Sequence, residues 1–296
     1  MPTWSEIQPF IPIGLALGGV YALSGVGTVV LYRATGVLNL ASGAVGAMGA
    51  YLAWALIYEA HAPAGLAYAF CVVFGGVVTL AYGLLFGPRL AARDPLVKAV
   101  ATLGLALILL GLMAWIFTDQ SYTLILPTTN SGFTVSQAQV NWTQVIGLAL
   151  GIVLTLGTWG FLRATKLGTA MRALADDREI TATLGVPVRR VEAAAWLGSG
   201  LFFGVAGLLL ADLVALDATT LTFLVISTVA AALIARLRSI PGTFVAAIVI
   251  GLVQSCITPI QSITNYEDMT PFVLAVAALL FVSRNREFSL GRGGGG

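Results

Sequence analysis

Charge is scarce in this chain: 9% of its 296 residues are Asp, Glu, Lys or Arg, against 58% hydrophobic, and mean hydropathy is +0.94. Water-soluble domains carry about 25% charged residues, so the composition argues against an ordinary soluble fold. Histidine occurs once, as His61 in a short turn after Glu59, whereas a metalloprotease or metal-dependent transferase needs several His, Asp or Glu at helical spacing. The two cysteines, Cys71 and Cys256, both lie in apolar runs, which supports neither a disulfide framework nor a zinc site. Lysine stands only at Lys98 and Lys166, preceded by Val97 and Thr165. A phosphate-binding loop needs Gly-Lys followed by Ser or Thr, so no such ATP site is expected on this chain, which reads as a non-enzyme. The net charge of +2 gives no case for nucleic acid. The opening MPTWSEIQPF has no basic segment, and the apolar run after it is too long for a cleaved signal peptide.

What the chain does have is one long apolar run after another. A helix crosses the hydrocarbon core in about 20 apolar residues, and candidates fall at 7–31, 37–58, 64–87, 97–117, 142–162, 193–214, 219–235, 241–262 and 269–283. The seventh and ninth are short, as a tilted, broken or partly inserted helix would be. With the N-terminus outside, all fifteen Lys and Arg fall on one side, in the connections at 32–36, 88–98, 163–192, 236–240 and 284–296. Glu6, Glu59, Asp119, Asp217, Glu267 and Asp268 fall on the other. Basic residues mark the cytoplasmic face. The expected fold is therefore an all-α integral membrane protein, a polytopic bundle of about eight or nine helices, N-terminus out and C-terminus in. Residues 1–283 form its single transmembrane domain and 284–296, ending GRGGGG, a flexible cytoplasmic tail.

The span interiors are nearly free of charge, with Asp212 and Asp217 at an outer helix end. Buried ionisable groups mark proton and ion relays, so their absence argues against ion-coupled transport. The polar, Thr/Ser-rich stretch 118–141 is expected outside, as a cap on an outer mouth, a partner contact or a simple connector. Gly14/Gly18, Gly83/Gly87, Gly147/Gly151 and Gly200/Gly204 repeat the four-residue spacing that lets helices approach closely. In the second span Ser42, Gly46 and Ala50 form a stripe of small residues, with Asn39 and Ser42 as polar groups near its inner end. Buried amides and hydroxyls need a partner in hydrocarbon, which here is either the protein itself or a solute, so Asn39, Ser42 and Gly46 are candidates for a translocation path.

The stretch 163–192 is a charged island holding Arg163, Lys166, Arg172, Arg178, Arg189 and Arg190, six of the fifteen basic residues. Thr169–Leu184 is rich in helix formers, Met171, Leu174 and Ala175 share a face, and Gly185 with Pro187 makes a helix stop. One or two short helices at the membrane surface are expected. Inert connections are usually much shorter, so the island is expected to touch a separate motor subunit.

Three segments carry a resemblance: GVLNLASGAVGAMGAYLA at 36–53, GTAMRALADDREITATLGVPVRRV at 168–191 and SIPGTFVAAIVIGLVQ at 239–254. Together they resemble the LivH/LivM-type permeases of branched-chain amino acid ABC importers, with matching order from about residue 10 to 283. The resemblance implies a multi-pass permease subunit of the bacterial inner membrane, importing branched-chain or other small amino acids. It implies as partners a second, similar permease, two cytoplasmic ABC ATPases that bind ATP-Mg, and an extracellular or periplasmic solute-binding protein, with no cofactor on this chain. It also makes 168–187 the coupling element, with Gly168, Arg172, Ala173, Asp176, Asp177 and Gly185 as ATPase-coupling residues.

The chain departs from that pattern twice. Where many members read Asn-Phe-Ala-His-Gly, it has Asn39-Leu40-Ala41-Ser42-Gly43, which loses a titratable group and puts the substrate in question. Where a Gly-Gly pair often precedes the Ser-Ile-Pro-Gly turn, it has Ala235-Arg236-Leu237-Arg238, two added positive charges expected to meet lipid headgroups or the motor. Two rival functions stand beside the amino-acid importer. One is a permease of the same family for urea, short amides or another small polar solute; the other is a self-sufficient secondary transporter.

Overall fold

The computed structural model describes residues 8–91, 93–118, 120–135, 138–259, 269, 272–274 and 276–277. The expected tail at 284–296, most of the ninth span, and Glu6, Asp119, Glu267 and Asp268 lie outside them. The described residues form eleven helices and one hairpin. In chain order these are α1 (Phe10–Thr35), α2 (Ser42–Tyr58), α3 (Ala64–Leu90), α4 (Pro95–Phe117), β1 (Gly132–Val135), β2 (Ala138–Asn141), α5 (Trp142–Ala164), α6 (Lys166–Asp176), α7 (Arg178–Thr183), α8 (Val188–Leu213), α9 (Ala218–Phe223), α10 (Val225–Ile234) and α11 (Ile240–Ile257). Six of them, α1, α3, α4, α5, α8 and α11, are long and apolar enough to cross a membrane, while α2 and the α9–α10 stretch are shorter apolar elements.

α1 is the axis of the bundle. Its apolar stretch is 89% buried, against 28% for α3 and α4 and 22% for α5, whose outer faces are left for lipid. The sequence makes this possible because small residues dominate the contacts. A Cβ on Gly18 of α1 would come within 2.7 Å of Ile248 Cα in α11, and one on Gly14 within 2.9 Å of the Gly251 carbonyl oxygen. A Cβ on Gly151 of α5 would lie 2.7 Å from the Gly19 carbonyl oxygen, and one on Gly204 of α8 would lie 2.8 Å from that of Cys71 in α3. Backbone meets backbone along these seams.

The structure redraws several expected boundaries. α1 runs to Thr35 and stops at Gly36, which takes the left-handed conformation (φ 67°) and donates its N–H to the Tyr32 carbonyl. The second span does not begin at 37: Gly36–Ala41 is non-helical, and α2 starts at Ser42. The seventh span is interrupted at Leu224, between α9 and α10. The expectation of helix alone is corrected between α4 and α5, where β1 and β2 pair antiparallel from Gly132↔Asn141 to Val135↔Ala138. Asn141 then opens α5 with a reciprocal capping box, its backbone N–H donating to Gln144 Oε1 at 3.2 Å.

Candidate functional site

Of the one or two short helices expected, the charged island forms two, each capped. Thr165 Oγ1 accepts the Gly168 N–H at 3.1 Å and starts α6. The backbone leaves helical geometry at Asp177 (φ −152°), whose carboxylate accepts the Ile180 N–H at 2.9 Å and starts α7. An N-terminal carboxylate there also opposes the helix dipole favourably. Gly185 ends the island at φ 82°, a conformation that disfavours any residue with a Cβ. Met171 and Leu174 bury the inner face of α6, and Arg178 pairs with Glu192 of α8 at 2.9 Å. The island is thus docked, not loose.

The six residues expected to couple to a motor do different things. Gly168 gives α6 its close approach to the end of α5, since a Cβ there would meet the backbone of Leu162. Asp177 caps and Gly185 turns. Ala173 is half-buried and Asp176 exposed. Arg172 is half-buried; its Nη2 donates to Thr169 Oγ1 at 3.2 Å, and it lines a cleft between α1, α5 and α11. Reading the sequence missed the island's most exposed apolar pair, Ile180 and Leu184, at 59% and 77% relative exposure. Its signal was present: two apolar residues four apart, among charges, and they stay uncovered among the described residues.

Asn39, Ser42 and Gly46 meet where the two short elements are interrupted. Asn39 is fully buried and its Oδ1 accepts the Ala41 N–H at 2.8 Å, which holds the bend before α2. Thr102 of α4 completes the bend, accepting the Leu40 N–H at 3.0 Å and donating to the Leu38 carbonyl at 3.1 Å. Gly46 packs on α8, where a Cβ would lie 2.7 Å from the Phe203 carbonyl oxygen. Ser42 and Gly46 border a space of only about 10 Å³ shared with Ser24, Gly207, Leu221 and Thr228, which is room for one water at most. Asn39 Nδ2, Ser42 Oγ and Thr222 Oγ1 are buried without a hydrogen-bond partner among the described residues. Such groups are costly in an apolar interior, and here three of them lie close in the fold, with Thr155 and Ser255 the others among the described residues.

The opposite end is closed by the 118–141 stretch. Tyr122 and Leu216 exchange backbone hydrogen bonds at 3.0 and 3.1 Å. Asp212, at the end of α8, accepts from the Leu126 N–H at 2.9 Å and from Thr129 Oγ1 at 2.6 Å. Asp217 accepts the Thr220 N–H at 2.7 Å; that bond, aided by Ser121, holds its carboxyl below the ordinary carboxylate range. His61 is exposed in a turn with φ 52°. Among the described residues no three His, Cys, Asp or Glu side chains converge.

Residues 10–279 match the family described as branched-chain amino acid transport system / permease component. The chain is similar to the high-affinity branched-chain amino acid transport system permease protein LivH of Escherichia coli K12, 26% identical over 284 residues covering 90% of this chain and 91% of the relative. It is 29% identical over 242 residues to the probable branched-chain amino acid transport permease protein LivH of Methanocaldococcus jannaschii, covering 80% of this chain and 76% of that one. Against the corresponding permease protein BraD of Pseudomonas aeruginosa it is 25% identical over 286 residues, 90% and 91% of the two chains.

Proposed function

The chain belongs to the branched-chain amino acid transport permease family, and from that premise we propose that it is the membrane-spanning subunit of an ATP-driven importer for branched-chain amino acids. In this reading it sits in a bacterial plasma membrane as eight or nine helical elements, N-terminus out, with its basic end in the cytoplasm. It works with a second permease of like fold, two cytoplasmic ATPases that bind ATP-Mg, and an external solute-binding protein. The relatives named above are branched-chain amino acid permeases, and the substrate is carried over from them.

The observation that supports the reading best is the island. Its helices are capped, docked through Met171 and Leu174, and tied to α8 by Arg178–Glu192, yet Ile180 and Leu184 remain uncovered beside Asp176 and Glu179. An apolar pair ringed by charge on a rigid mount suits insertion into a groove of a partner. A pull on the ATPases then reaches α8 directly, and through α8 the α2 seam at Gly46. The solute path follows the start of α2, where Asn39, Ser42 and Gly46 meet interrupted helices; in transporters such breaks are where solutes bind.

Replacing Ile180 and Leu184 together by Asp tests this. Affinity purification of the chain from native membranes recovers two ATPases, a second permease and a binding protein, and the double variant recovers the chain with the ATPases lost. Leucine uptake in the variant falls at least about tenfold, the loss of one well-placed apolar contact at about 1.4 kcal/mol per decade. Full uptake with the variant, or uptake of urea in place of leucine by the unaltered chain, overturns the coupling and the substrate assignments respectively. Unaided, gradient-driven uptake in liposomes by the purified chain would return the case to a self-sufficient transporter.

A further inference from the structure

At the basic end, the last turns of α1 and α5, the flank of α6 and the turn into α11 surround a cleft of about 270 Å³. Four guanidinium groups line it, one from each: Arg33, Arg163, Arg172 and Arg238. The one ion pair among the described residues is Arg178–Glu192, so none of the four has a carboxylate partner there. Asp176, one turn beyond Arg172, only partly offsets the field at Arg33. Converging like charges repel, and a fold that gathers them from separate elements is balanced when an anion lies between them.

Two of the groups are held in place. Arg163 lies over the Trp159 ring at 4.1 Å, and Arg172 is bonded to Thr169. The N-terminus of α11, an 18-residue helix, opens at the cleft: Ser239 caps it by accepting the Gly242 N–H at 3.1 Å, and Ile240 and Pro241 form the wall. The positive end of that helix adds to the four charges. Arginine's planar fork suits phosphate oxygens in particular. Leu162, Ile240 and Pro241 make the rest of the lining apolar, and the cleft lies where three spanning helices end.

We infer that this cleft binds a phosphate-bearing anion, either the headgroup of an acidic phospholipid or a free phosphate. Basic pockets between spanning helices at a membrane face suit such headgroups. Because Arg172 belongs to α6, the bound anion ties the island to α1, α5 and α11, and the island's seating depends on its occupancy. The idea is independent of which solute the permease carries.

The test uses the full chain purified with whatever partners it retains, in neutral detergent. Thermal melting is followed while phosphatidylglycerol, phosphatidylcholine or inorganic phosphate is added, and native mass spectrometry counts bound phospholipid. A rise in melting temperature with phosphatidylglycerol alone, with that lipid retained in the spectrum, supports the lipid source; an equal rise with inorganic phosphate supports the free anion. Arg163 and Arg238 are exposed, so the double variant Arg163→Gln/Arg238→Gln folds and weakens the response at least about tenfold, as loss of two charge-assisted contacts requires. Arg236→Gln, one charge removed from the same turn but outside the cleft lining, retains the full response. No response to either anion, or an equal loss with Arg236→Gln, overturns the site. So does a double variant that sheds a protein partner while its anion response stays intact, which would assign the four arginines to a protein contact.

Discussion

The 118–141 stretch and the 163–192 island are two long connections among the described residues, and they finish their bonding differently. The first is tied back onto the bundle by some of its polar groups. Asp212 takes up the Leu126 N–H and the Thr129 hydroxyl, the Tyr51 hydroxyl donates to the Gln120 carbonyl at 3.2 Å, and Leu124 and Leu126 are buried, while Ile125 and Phe133 stay about half exposed. The second satisfies its helix ends but leaves Ile180 and Leu184 in the open. A connection tied back onto the bundle lies over it like a lid. One that stays apolar after every hydrogen bond is made is waiting for another surface.

Breaking the lid is the most damaging change this comparison predicts. Asp212→Ala strips the acceptor from two donors, the Leu126 N–H and the Thr129 hydroxyl, costing about 3 kcal/mol by the usual penalty for charged acceptors, read as a lowered melting midpoint together with new protease cleavage inside 120–135. In the island the largest intramolecular effect is smaller. Asp177→Ala removes the α7 cap at about 1 kcal/mol, seen as faster amide exchange confined to 177–184. Arg178 and Glu192 are next: their side chains are 44% and 15% exposed, and a double-mutant cycle returns about 0.5 kcal/mol of coupling. The Ile180→Asp/Leu184→Asp pair sharpens the contrast most, because it changes melting by no more than about 0.5 kcal/mol while lowering coupled uptake at least about tenfold.

Acid separates the two regions again. Asp217 is held below its ordinary value of 3.8 by the Thr220 N–H. Its contribution is complete above that value and is lost as the pH falls through the lower folded one. Amide exchange near Ser121 and Thr220 therefore accelerates in that acid window and is unchanged at neutral pH.

The apolar periodicity of α1, α3, α4, α5, α8 and α11 was legible, because lipid demands an unbroken run of apolar residues and nothing local competes with it. So was the island's division from the spans, which charge announces. Less legible were features decided by a single backbone torsion or a distant partner. Asn39 bends the chain only because Thr102, far along the sequence, receives the freed groups. The hairpin depends on register between two four-residue strands. At 235–238 the departure from a Gly-Gly pattern looked like added charge alone. The structure shows Arg236 and Leu237 both at φ 56°, where glycine would be unstrained. Of the candidate path, Asn39 and Ser42 were legible as buried polar groups; the close approach of the neighbouring Gly43 to the Thr222 backbone, just before the break at Leu224, was not.

The glycine seams have a mechanical consequence. Two helices whose backbones touch are meshed like teeth: advancing one by a single residue, about 1.5 Å, carries a side chain into a space that only hydrogen fits. α1 with α11, and α3 with α8, are therefore locked in register and move as levers. Whatever change of shape the bundle undergoes is confined to joints made of pliable side chains, and one of these is the cleft of about 490 Å³ between α5 and α8, lined by Leu154, Phe161 and Phe202.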